Sequence, residues 1–538
     1  MRNIYTPADI ERITEATIGN PAEIAGMEPS RRARAYERRA SFISSVGEQV
    51  ASEVAEMRKP GQETVVFAGD GICGAYALEA ALELMHCGGP LKVILFNIGG
   101  ELLSADTRDA RDRFVREGGR KVLQEVINPG PGCFEMPAMN SGTLVIDGIF
   151  GSEYRKPLRG GYQAVARSIN ESKATVVSID LPSGMTTDLS VGMVNRNIIH
   201  ADVTLTLIGP TLAFFMPENA ELLGRWKVLA VPFDEEAMRH TRCTSRVLDS
   251  RGVRSVMPPR PQVVSKADLG EALIFAGSYG MLGAAVLATR AATRSGCGKV
   301  TCHGPRCGFF VMQSAVPSAM FTTDGADVDI QFFDNPRDCD GVAIGPGIGR
   351  SDATAAGLST FLKSCYAAKK PLVLDADALN IISDRPELLD FIPPRSIITP
   401  HAGEFDRLFG AQNSHGTRTL MALEMAQRYK IVILLKGPKT LTVWPDGSIL
   451  VNSSGTEALA TAGSGDVLTG LIAGLMAQKI MPEIAAAIGA YIHGVAGRIA
   501  ARTCGIQGTT AEDIADAIGP AIDTILNPRP TGAKTQAL

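Results

Sequence analysis

A glycine-rich segment in the last quarter of this 538-residue chain has the residues best suited to chemistry. It reads Gly463-Ser464-Gly465-Asp466 and continues into apolar sequence with helical character. Free backbone N–H groups at a helix N-terminus bind anions, and glycines let a phosphate approach the backbone closely. An aspartate placed there can take a proton from a hydroxyl that attacks a phosphoryl group. The segment therefore predicts phosphoryl transfer to an alcohol, with a strand-to-helix turn capped by Asp466 as the structural alternative.

Four further segments of the second half suit a nucleotide or its substrate. The run Lys436-Gly437-Pro438-Lys439-Thr440 offers ammonium groups and a hydroxyl beside a glycine turn. His401 follows an apolar run, and the glycines of Gly345–Gly349 permit close backbone approach. Asp375 and Asp377 end another apolar run, where they either hold Mg²⁺ or cap the next helix. Taken singly, each segment also has an ordinary structural explanation.

The composition is that of a globular protein without a strongly charged partner. Apolar residues make up 45% and charged residues 20% of the chain, and 53 basic against 57 acidic residues give a net charge of −4. This balance favours neither nucleic acid nor an anionic membrane. The ten cysteines form no Cys-x-x-Cys pair, and the apolar stretch Leu468–Ala477 is too short to span a bilayer. We expect a cytoplasmic protein with reduced thiols and no signal peptide.

Apolar runs alternate with helical patterns in both halves of the chain. The strand candidates in the first half are residues 64–68, 91–96, 143–147, 175–180, 202–207 and 226–231. Those in the second half are residues 272–276, 341–344, 371–377, 396–401 and 431–436. Such alternation predicts α/β folds with mostly parallel, doubly wound sheets. Ligands bind at the carboxyl ends of such strands, where Asp147 and Asp180 stand in the first half.

The chain is too long for one hydrophobic core, so two domains are expected. A Pro-rich stretch, Val256–Pro261, marks the best candidate boundary. We predict an N-terminal Rossmann-like domain over residues 1–240, a linker over 241–265 and a C-terminal α/β sandwich domain over 266–528.

Residues from about 266 to 525 resemble the ADP- or ATP-dependent NAD(P)H-hydrate dehydratases, a ribokinase-like family. The departure from the family pattern is Ala462, where a second glycine is usual. The resemblance rests on ordered segments along the whole half: Lys266–Gly270, Gly277-Ser278, Arg294–Gly298, Gly345–Gly349, Asp375–Asn380, Thr399–Glu404, Leu435–Thr440, Ala460–Gly470 and His493–Gly497.

The resemblance implies a repair reaction. Water adds across the nicotinamide ring of NADH or NADPH to give an inactive hydrate; the family phosphorylates the new hydroxyl, and phosphate then leaves. Asp466 would be the base, and Mg²⁺ would bridge the phosphates. The expected nucleotide-binding residues are Lys436, Gly437, Pro438, Lys439, Thr440, Gly463, Ser464 and Gly465. The residues expected to face the hydrate are Ala285, Gly347, His401 and Asp466.

The first half resembles the NAD(P)H-hydrate epimerases. The support is Asp147–Gly151 with Arg155, Ser178–Gly184 and Ala201–Thr206. The resemblance implies that Asp180 contacts substrate or moves a proton at C6 of the ring. It also implies that Asp147 and Ser183 coordinate K⁺, and that Gly151 and Arg155 contact the substrate.

One epimerase motif is altered. The family has Gly-x-Gly-Asn-Asn-Gly-Gly-Asp-Gly, whereas residues 69–77 read Gly-Asp-Gly-Ile-Cys-Gly-Ala-Tyr-Ala. Ile72 and Cys73 replace the two asparagines, and Tyr76 replaces the acid. A thiol is a poor ligand for K⁺, a hard cation that prefers oxygen. Two hypotheses stand for this half: a working epimerase, or a domain kept for folding, oligomerisation or ligand binding.

An alternative for the whole chain is a ribokinase-like kinase of a small vitamin-precursor alcohol, fused to a non-catalytic binding or scaffolding domain. The Thr-Pro-His-Ala-Gly-Glu and Lys-Gly-Pro-Lys-Thr segments favour the dehydratase. By analogy with the family we also expect a homo-oligomer.

Overall fold

The computed structural model describes residues 1–98, 100, 103–127, 134–154, 156–190, 197–335 and 337–528. The chain divides into two compact units. The N-terminal unit is Asn3–Cys243 with Ser414–Gly416, and the C-terminal unit is Thr244–Asn413 and Thr417–Leu538 with Met1–Arg2.

The elements of the first 243 residues alternate as expected. After strand β1 (Arg2–Ile4), the strands are β2 (Glu63–Ala68), β3 (Leu91–Phe96), β4 (Leu123–Val126), β5 (Thr143–Gly148), β6 (Thr175–Ile179), β7 (Val203–Thr206) and β8 (Arg225–Val228). The helices are α1 (Pro7–Ile18), α2 (Pro21–Ala25), α3 (Pro29–Met57), α4 (Ile72–His86), α5 (Ala105–Arg116), α6 (Gly161–Glu171), α7 (Ala220–Leu223) and α8 (Glu235–His240).

The sheet of the N-terminal unit is doubly wound. Its order is β4-β3-β2-β5-β6-β7-β8, and every pairing is parallel. The order reverses at β2, so the loops after β2 and β5 open a crevice at the carboxyl edge. These loops approach closely, since a Cβ on Gly69 would lie 1.8 Å from the carbonyl oxygen of Ile149. The predicted Rossmann-like architecture is confirmed.

The C-terminal unit has ten further strands and eleven helices among the described residues. The strands are β9 (Ser245–Leu248), β10 (Glu271–Phe275), β11 (Lys299–Gly304), β12 (Met320–Thr323), β13 (Gly341–Ile344), β14 (Val373–Leu374), β15 (Ile397–Ile398), β16 (Val432–Leu435), β17 (Leu441–Val443) and β18 (Ile449–Asn452). The helices are α9 (Ser250–Val256), α10 (Leu282–Arg294), α11 (Phe309–Ala315), α12 (Asp352–Ala368), α13 (Ala376–Asp384), α14 (Ala402–Phe409), α15 (His415–Tyr429), α16 (Ser464–Ala477), α17 (Pro482–Cys504), α18 (Ala511–Asp516) and α19 (Ile518–Leu526).

The large sheet has the order β1-β9-β18-β17-β16-β15-β14-β13-β10-β11-β12. From β12 to β16 every pair is parallel, and β17 runs antiparallel to β16 and β18. Helices α10 and α16 pack together at short range, because a Cβ on Gly470 would lie 1.9 Å from the carbonyl oxygen of Ala288. The predicted C-terminal α/β sandwich is confirmed.

Two details differ from the sequence-based expectations. The segment 241–265, expected to be a linker, contains β9 and α9, and β9 pairs with β18 of the large sheet. Helix α17 is long and apolar enough to cross a membrane, but 72% of its apolar window is buried within the protein. Its apolar composition is that of a helix packed in a core.

Candidate active site

The carboxyl ends of five neighbouring parallel strands gather the predicted loops of the C-terminal unit. Short contacts join these loops: Gly277 N–H donates to Pro346 O (2.8 Å), and Gly349 N–H donates to the Asp377 carboxylate (3.0 Å). The loops are those after β10 at Gly277, after β13 at Gly345–Gly349, after β14 at Asp375, after β15 at His401 and after β16 at Lys436.

The glycine-rich segment forms the N-terminus of α16. Gly463 precedes the helix with φ +85°, and a Cβ on it would lie 2.4 Å from Leu287 Cδ1, so the position requires glycine. Ser464 N–H donates to Thr461 O (3.3 Å). The N–H groups of Gly465 and Asp466 have no acceptor among the described residues, which makes this helix start suited to an anion.

Asp466 lies in the first turn of α16, and its carboxylate is half-buried. Burial and then the nearby Asp375 carboxylate raise the pKa of Asp466 to about 7, against the opposing effect of Lys436. Within the part of the chain that the structure describes, no donor is hydrogen-bonded to this carboxylate. A general base with a pKa near neutrality and a free carboxylate can accept a proton from a bound hydroxyl. The capping explanation for Asp466 finds no support in its contacts.

A buried ion pair lies beside the helix start. Lys436 Nζ is 2.9 Å from Asp375 Oδ1 and 3.8 Å from Glu404 Oε2, and Thr469 Oγ1 donates to Asp375 Oδ2 at 2.6 Å. Burial opposes the charge of Lys436, but Asp375, Glu404 and Asp466 outweigh it and raise the pKa of Lys436. Asp375 makes no side-chain cap to α13. Its carboxylate instead fixes the ammonium.

Two members of this network escaped the sequence analysis. Thr469 is a fully buried hydroxyl inside an otherwise apolar helix, a pattern that signals a specific hydrogen-bond partner. Glu404 stands three residues after His401, the spacing of a capping box. Both signals are local, and only the fold shows that they meet at Lys436 and Asp375.

The rest of the expected nucleotide segment lies at the surface after β16. Gly437, Pro438 and Lys439 are exposed, and no atom would come within 4 Å of a Cβ added at Gly437. Thr440 Oγ1 donates to Gly437 O at 3.2 Å. The structure therefore separates Lys436, which is ion-paired, from the open segment 437–440.

His401 caps helix α14. Its Nδ1 accepts from Gly403 N–H (3.0 Å) and Glu404 N–H (3.3 Å), while Glu404 Oε2 accepts from His401 N–H (2.9 Å). With Nδ1 accepting, the neutral ring has its proton on Nε2. The side chain is 55% exposed, so the capping role leaves one edge of the ring accessible.

Gly347 and Ala285 are both buried near the loops after β10 and β13. Gly347 has φ +62°, and a Cβ on it would lie 2.9 Å from Met281 O. Ala285 is 1% exposed, and its Cβ is 3.0 Å from the position a Cβ on Gly277 would take. Ala285 therefore lies beneath the loops, and the exposed Met281, which sequence reasoning missed, stands beside Gly347.

His493 contacts the first residue of helix α16. Its Nε2 is 3.2 Å from Ser464 Oγ, and the ring is buried. Burial and then Lys436 lower the pKa of His493 to about 4, so the ring is neutral at physiological pH. The sequence motif contained His493 without indicating this partner.

A second candidate site is a cavity of about 610 Å³ in the N-terminal unit, with Asp180 and Cys73 in its wall. Asp180 has φ +66°, an unusual conformation for a non-glycine residue. Its Oδ2 accepts from Ser152 N–H at 2.7 Å, and burial raises the pKa of Asp180. Strained residues of this kind cluster at functional sites.

The residues expected to hold K⁺ do not fit that ion. Asp147 is fully buried; its Oδ1 accepts from Ser183 Oγ (2.6 Å), and its Oδ2 accepts from Ser178 Oγ (2.8 Å) and Ser183 N–H (2.9 Å). Both oxygens are therefore engaged by donors. Burial raises the pKa of the Cys73 thiol well above its usual value, which keeps it neutral. Gly151 is buried beside this site, and Arg155 lies outside the described residues.

Comparisons with known proteins match both units. Residues 272–520 match the family described as NAD(P)H-hydrate dehydratase, and residues 39–213 match the family described as YjeF-related protein N-terminus. The bifunctional NAD(P)H-hydrate repair enzyme Nnr of Moorella thermoacetica is 32% identical over 487 residues, which cover 88% of this chain and 89% of that relative. The enzyme of the same description from Thermofilum pendens is 30% identical over 481 residues, or 87% and 89%.

Among solved structures, an ADP/ATP-dependent NAD(P)H-hydrate dehydratase from Bacillus subtilis, co-crystallised with ATP/Mg²⁺, is similar to part of this chain. It is 29% identical with a TM-score of 0.45, and the match covers 52% of this chain and 98% of that one.

Proposed function

The chain belongs to the family of bifunctional NAD(P)H-hydrate repair enzymes, and from this premise we propose that its C-terminal unit dehydrates NADH or NADPH hydrate with consumption of ADP or ATP. The observation that carries the proposal is the pairing of an unengaged Asp466 carboxylate with free N–H groups in the same helical turn. That pairing suits a base that acts beside a transferring phosphoryl group.

Asp466 takes the proton of the hydrate hydroxyl as the hydroxyl oxygen attacks the terminal phosphorus of the nucleotide, and the nucleotide shortened by one phosphate leaves. The N–H groups of Gly465 and Asp466 stabilise the charge on the phosphoryl oxygens, with Gly463 and Ser464 shaping the turn. Phosphate, a far better leaving group than hydroxide, then leaves C6 with the bonding electrons. C5 loses a proton to water, and the C5–C6 double bond of the reduced nicotinamide is restored. The open segment 437–440 binds the nucleotide, while His401 and Gly347 contact the hydrate.

Lys436 has a positioning role here that differs from a direct phosphate contact. Its ammonium lies near Gly465, because a Cβ at that residue would be 3.4 Å from Lys436 Nζ. Asp375 and Glu404 hold it there, so that it adds positive potential under the anion site. Ala285 supports the loop that contacts the hydrate from beneath.

Mg²⁺ would accompany the nucleotide phosphates. In the described ranges no group of three or more His, Cys, Asp or Glu side chains is placed to hold a metal by itself. Mg²⁺ commonly binds through one or two carboxylates together with substrate phosphates, and Asp377, in the first turn of α13, is a carboxylate of this site that would fit that use. When bound, the ion would neutralise phosphate charge.

For the N-terminal unit, the proposed activity is interconversion of the R and S hydrates at C6, with Asp180 in contact with the substrate. Asp180 faces a cavity of ligand size, and its strained backbone is typical of functional residues. No step depends on K⁺, because Asp147 and Ser183 are hydrogen-bonded to each other. The proposed domain limits are residues 3–243 for this activity and, apart from 414–416, residues 244–528 for the dehydratase.

The nine described cysteines are free thiols, which fits the proposed cytoplasmic location. A homo-oligomeric state is likewise a proposal, and light scattering of the purified chain tests it. No contact of nucleic acid or membrane is needed for the proposed activity.

The test of the dehydratase supplies purified protein with S hydrate and either ADP or ATP and follows the recovery of NADH absorbance. We expect recovery that depends on nucleotide and that Asp466→Asn abolishes without loss of nucleotide binding. Phosphorylated hydrate that accumulates without dehydration would instead support the kinase alternative, and an unreactive hydrate with both nucleotides would overturn the proposal.

A further inference from the structure

The cavity of the N-terminal unit has three acidic side chains that the proposed function does not use, Glu11, Glu15 and Glu153. Glu153 lines the same cavity as Asp180, together with Tyr76. Glu153 stands on the loop after β5, whereas Asp180 follows β6, so two neighbouring strands each deliver one carboxyl group.

The two carboxylates flank a single backbone position. A Cβ added at Gly151 would lie 2.7 Å from Glu153 Oε2 and 2.9 Å from Asp180 Oδ2. Gly151 N–H donates to Glu153 Oε1 at 3.3 Å, and Ser152 N–H donates to Asp180 Oδ2 at 2.7 Å. The glycine therefore lets the two groups come together, and adjacent backbone N–H groups orient them.

Tyr76 adds a polar group to the wall of the cavity. The residue as a whole is 4% exposed, but its hydroxyl is not among the buried polar atoms that lack a partner. A hydroxyl in a cavity wall can donate to or accept from a bound group. Tyr76 stands where the epimerase motif has its acid, and the same cavity has Glu153 as a carboxyl group from another loop.

The electrostatics separate the two groups. Desolvation of the carboxyl group and then the Asp180 carboxylate raise the pKa of Glu153 to about 7, although the residue as a whole is exposed. The Ser152 N–H favours the charged form of Asp180. Asp180 has the shorter contact to a backbone N–H, at 2.7 Å against 3.3 Å for Glu153, so the surroundings favour Asp180 as the base and Glu153 as the acid.

We propose that Glu153 is a second catalytic residue of this unit, the proton donor that works with Asp180 in the interconversion of R and S hydrates. The proposal rests on the epimerase activity assigned above. Glu153 protonates the C6 hydroxyl; the C6–O bond breaks, water leaves with the bonding electrons, and the lone pair of the ring nitrogen forms a planar C=N cation. Water adds back to either face, the nitrogen recovers its lone pair, and the carboxyl pair takes one proton back. No oxidant or reductant is needed.

The test starts from pure R hydrate without nucleotide, so that the dehydratase is silent, and follows the approach to the R/S equilibrium by chromatography, with the spontaneous rate subtracted. We expect Glu153→Gln to lower kcat about a hundred-fold with little change in KM, and to remove the dependence of kcat on an acid of pKa near 7. Glu153→Asp should retain part of the rate. Glu171→Gln, exposed on α6, is the matched control.

The outcomes separate the two proposals. ADP-dependent dehydration of S hydrate by each variant checks that the full chain remains folded and competent. If the wild type accelerates epimerisation and Glu153→Gln has the same kcat and pH profile, the role of Glu153 is overturned and the epimerase activity stands. If the wild type does not accelerate epimerisation, both the epimerase activity and the role of Glu153 are overturned.

Discussion

The Nζ atom of Lys436 lies 2.9 Å from Oδ1 of Asp375, an aspartate that is 1% exposed, and this ion pair stands under the first turn of the helix that carries Asp466. The ammonium attracts an anion at the helix start and lowers the pKa of Asp466, while the Asp375 carboxylate raises it. The pair therefore sets the proton affinity of the base and the potential of the anion site together. Replacing either residue should therefore change both the pKa of Asp466 and the potential at the anion site.

Replacing Lys436 by Met leaves Asp375 as a buried charge without its partner. We expect the C-terminal unit to lose about 3 kcal/mol of unfolding free energy, as is usual when one member of a buried pair is removed. Loss of the ammonium should also raise the pKa of Asp466. Urea unfolding monitored by Trp444 measures the first effect, in a Trp226→Phe background that leaves one tryptophan in the chain.

Lys439→Met is the matched control for that experiment, because Lys439 is exposed on the same segment. It should leave stability nearly unchanged and weaken nucleotide binding. If Lys436→Met were as stable as Lys439→Met, the ion pair would have no structural role. If Lys436→Met raised KM for nucleotide without loss of stability, a direct phosphate contact would be the better explanation.

The rate of dehydration should rise with pH through about 7, because Asp466 acts in its ionised form. The profile of kcat/KM for S hydrate between pH 5 and 9, at saturating nucleotide, reports this ionisation. In Lys436→Met the rising limb should move to higher pH. A flat profile across neutrality would remove Asp466 from the role of base.

The order of the elements and the loops at the carboxyl edges followed from the sequence. Strands such as Gly341–Ile344 and Leu91–Phe96 were predicted within their observed bounds, because continuous apolar runs between turn signals leave few alternatives. Asp466, Lys436 and His401 were correctly placed after strands or at a helix start. Pro258, Pro259 and Pro261 suggested a linker over residues 241–265, and strand β9 and helix α9 lie in this segment before these prolines.

The partners of the site residues did not follow from the sequence. Lys436 and Asp375 are separated by 61 positions, and Thr469 is a further 33 positions along, so only the stacking of β14, β16 and α16 brings them together. Glu153 and Asp180 meet for the same reason, on adjacent strands β5 and β6. Local patterns identify what a residue can do, whereas long-range pairing determines which charge acts on it.

Asp466 and His493 should have opposite effects on the pH dependence of stability. The pKa of Asp466 rises from 3.8 to about 7 on folding, so its contribution is full below 3.8 and is lost as pH rises through 7. The pKa of His493 falls from 6.5 to about 4, so its contribution is full above 6.5 and is lost as pH falls towards 4. In the wild type the two contributions to the pH dependence of the unfolding free energy partly cancel.

Asp466→Asn should therefore be more stable than wild type at pH 8, by about 1 kcal/mol or roughly 2–4 °C in Tm. His493→Gln should gain stability relative to wild type as pH falls from 6.5 to 4. Trp444 fluorescence in the Trp226→Phe background resolves both differences. Equal destabilisation of Asp466→Asn at pH 5 and pH 8 would contradict the raised pKa.

The glycine-rich turn gives a prediction with a built-in control. Gly463→Ala places a side chain in the left-handed region, at φ +85°, and brings a Cβ within 2.4 Å of Leu287 Cδ1. We expect a loss of about 2 kcal/mol in unfolding free energy from strain and overlap. Because the first turn of α16 must shift, kcat should fall at least tenfold while the affinity of the hydrate changes little.

Gly437→Ala is the control, since no atom would lie within 4 Å of its Cβ and its φ is not in the left-handed region. It should keep wild-type stability and kcat. Gly465→Ala is intermediate, because its Cβ would lie 3.4 Å from Lys436 Nζ in a helical conformation; it should fold normally but hinder the approach of phosphate and raise KM for nucleotide. Equal kcat in Gly463→Ala and Gly437→Ala would show that the geometry of this turn is not needed for phosphoryl transfer.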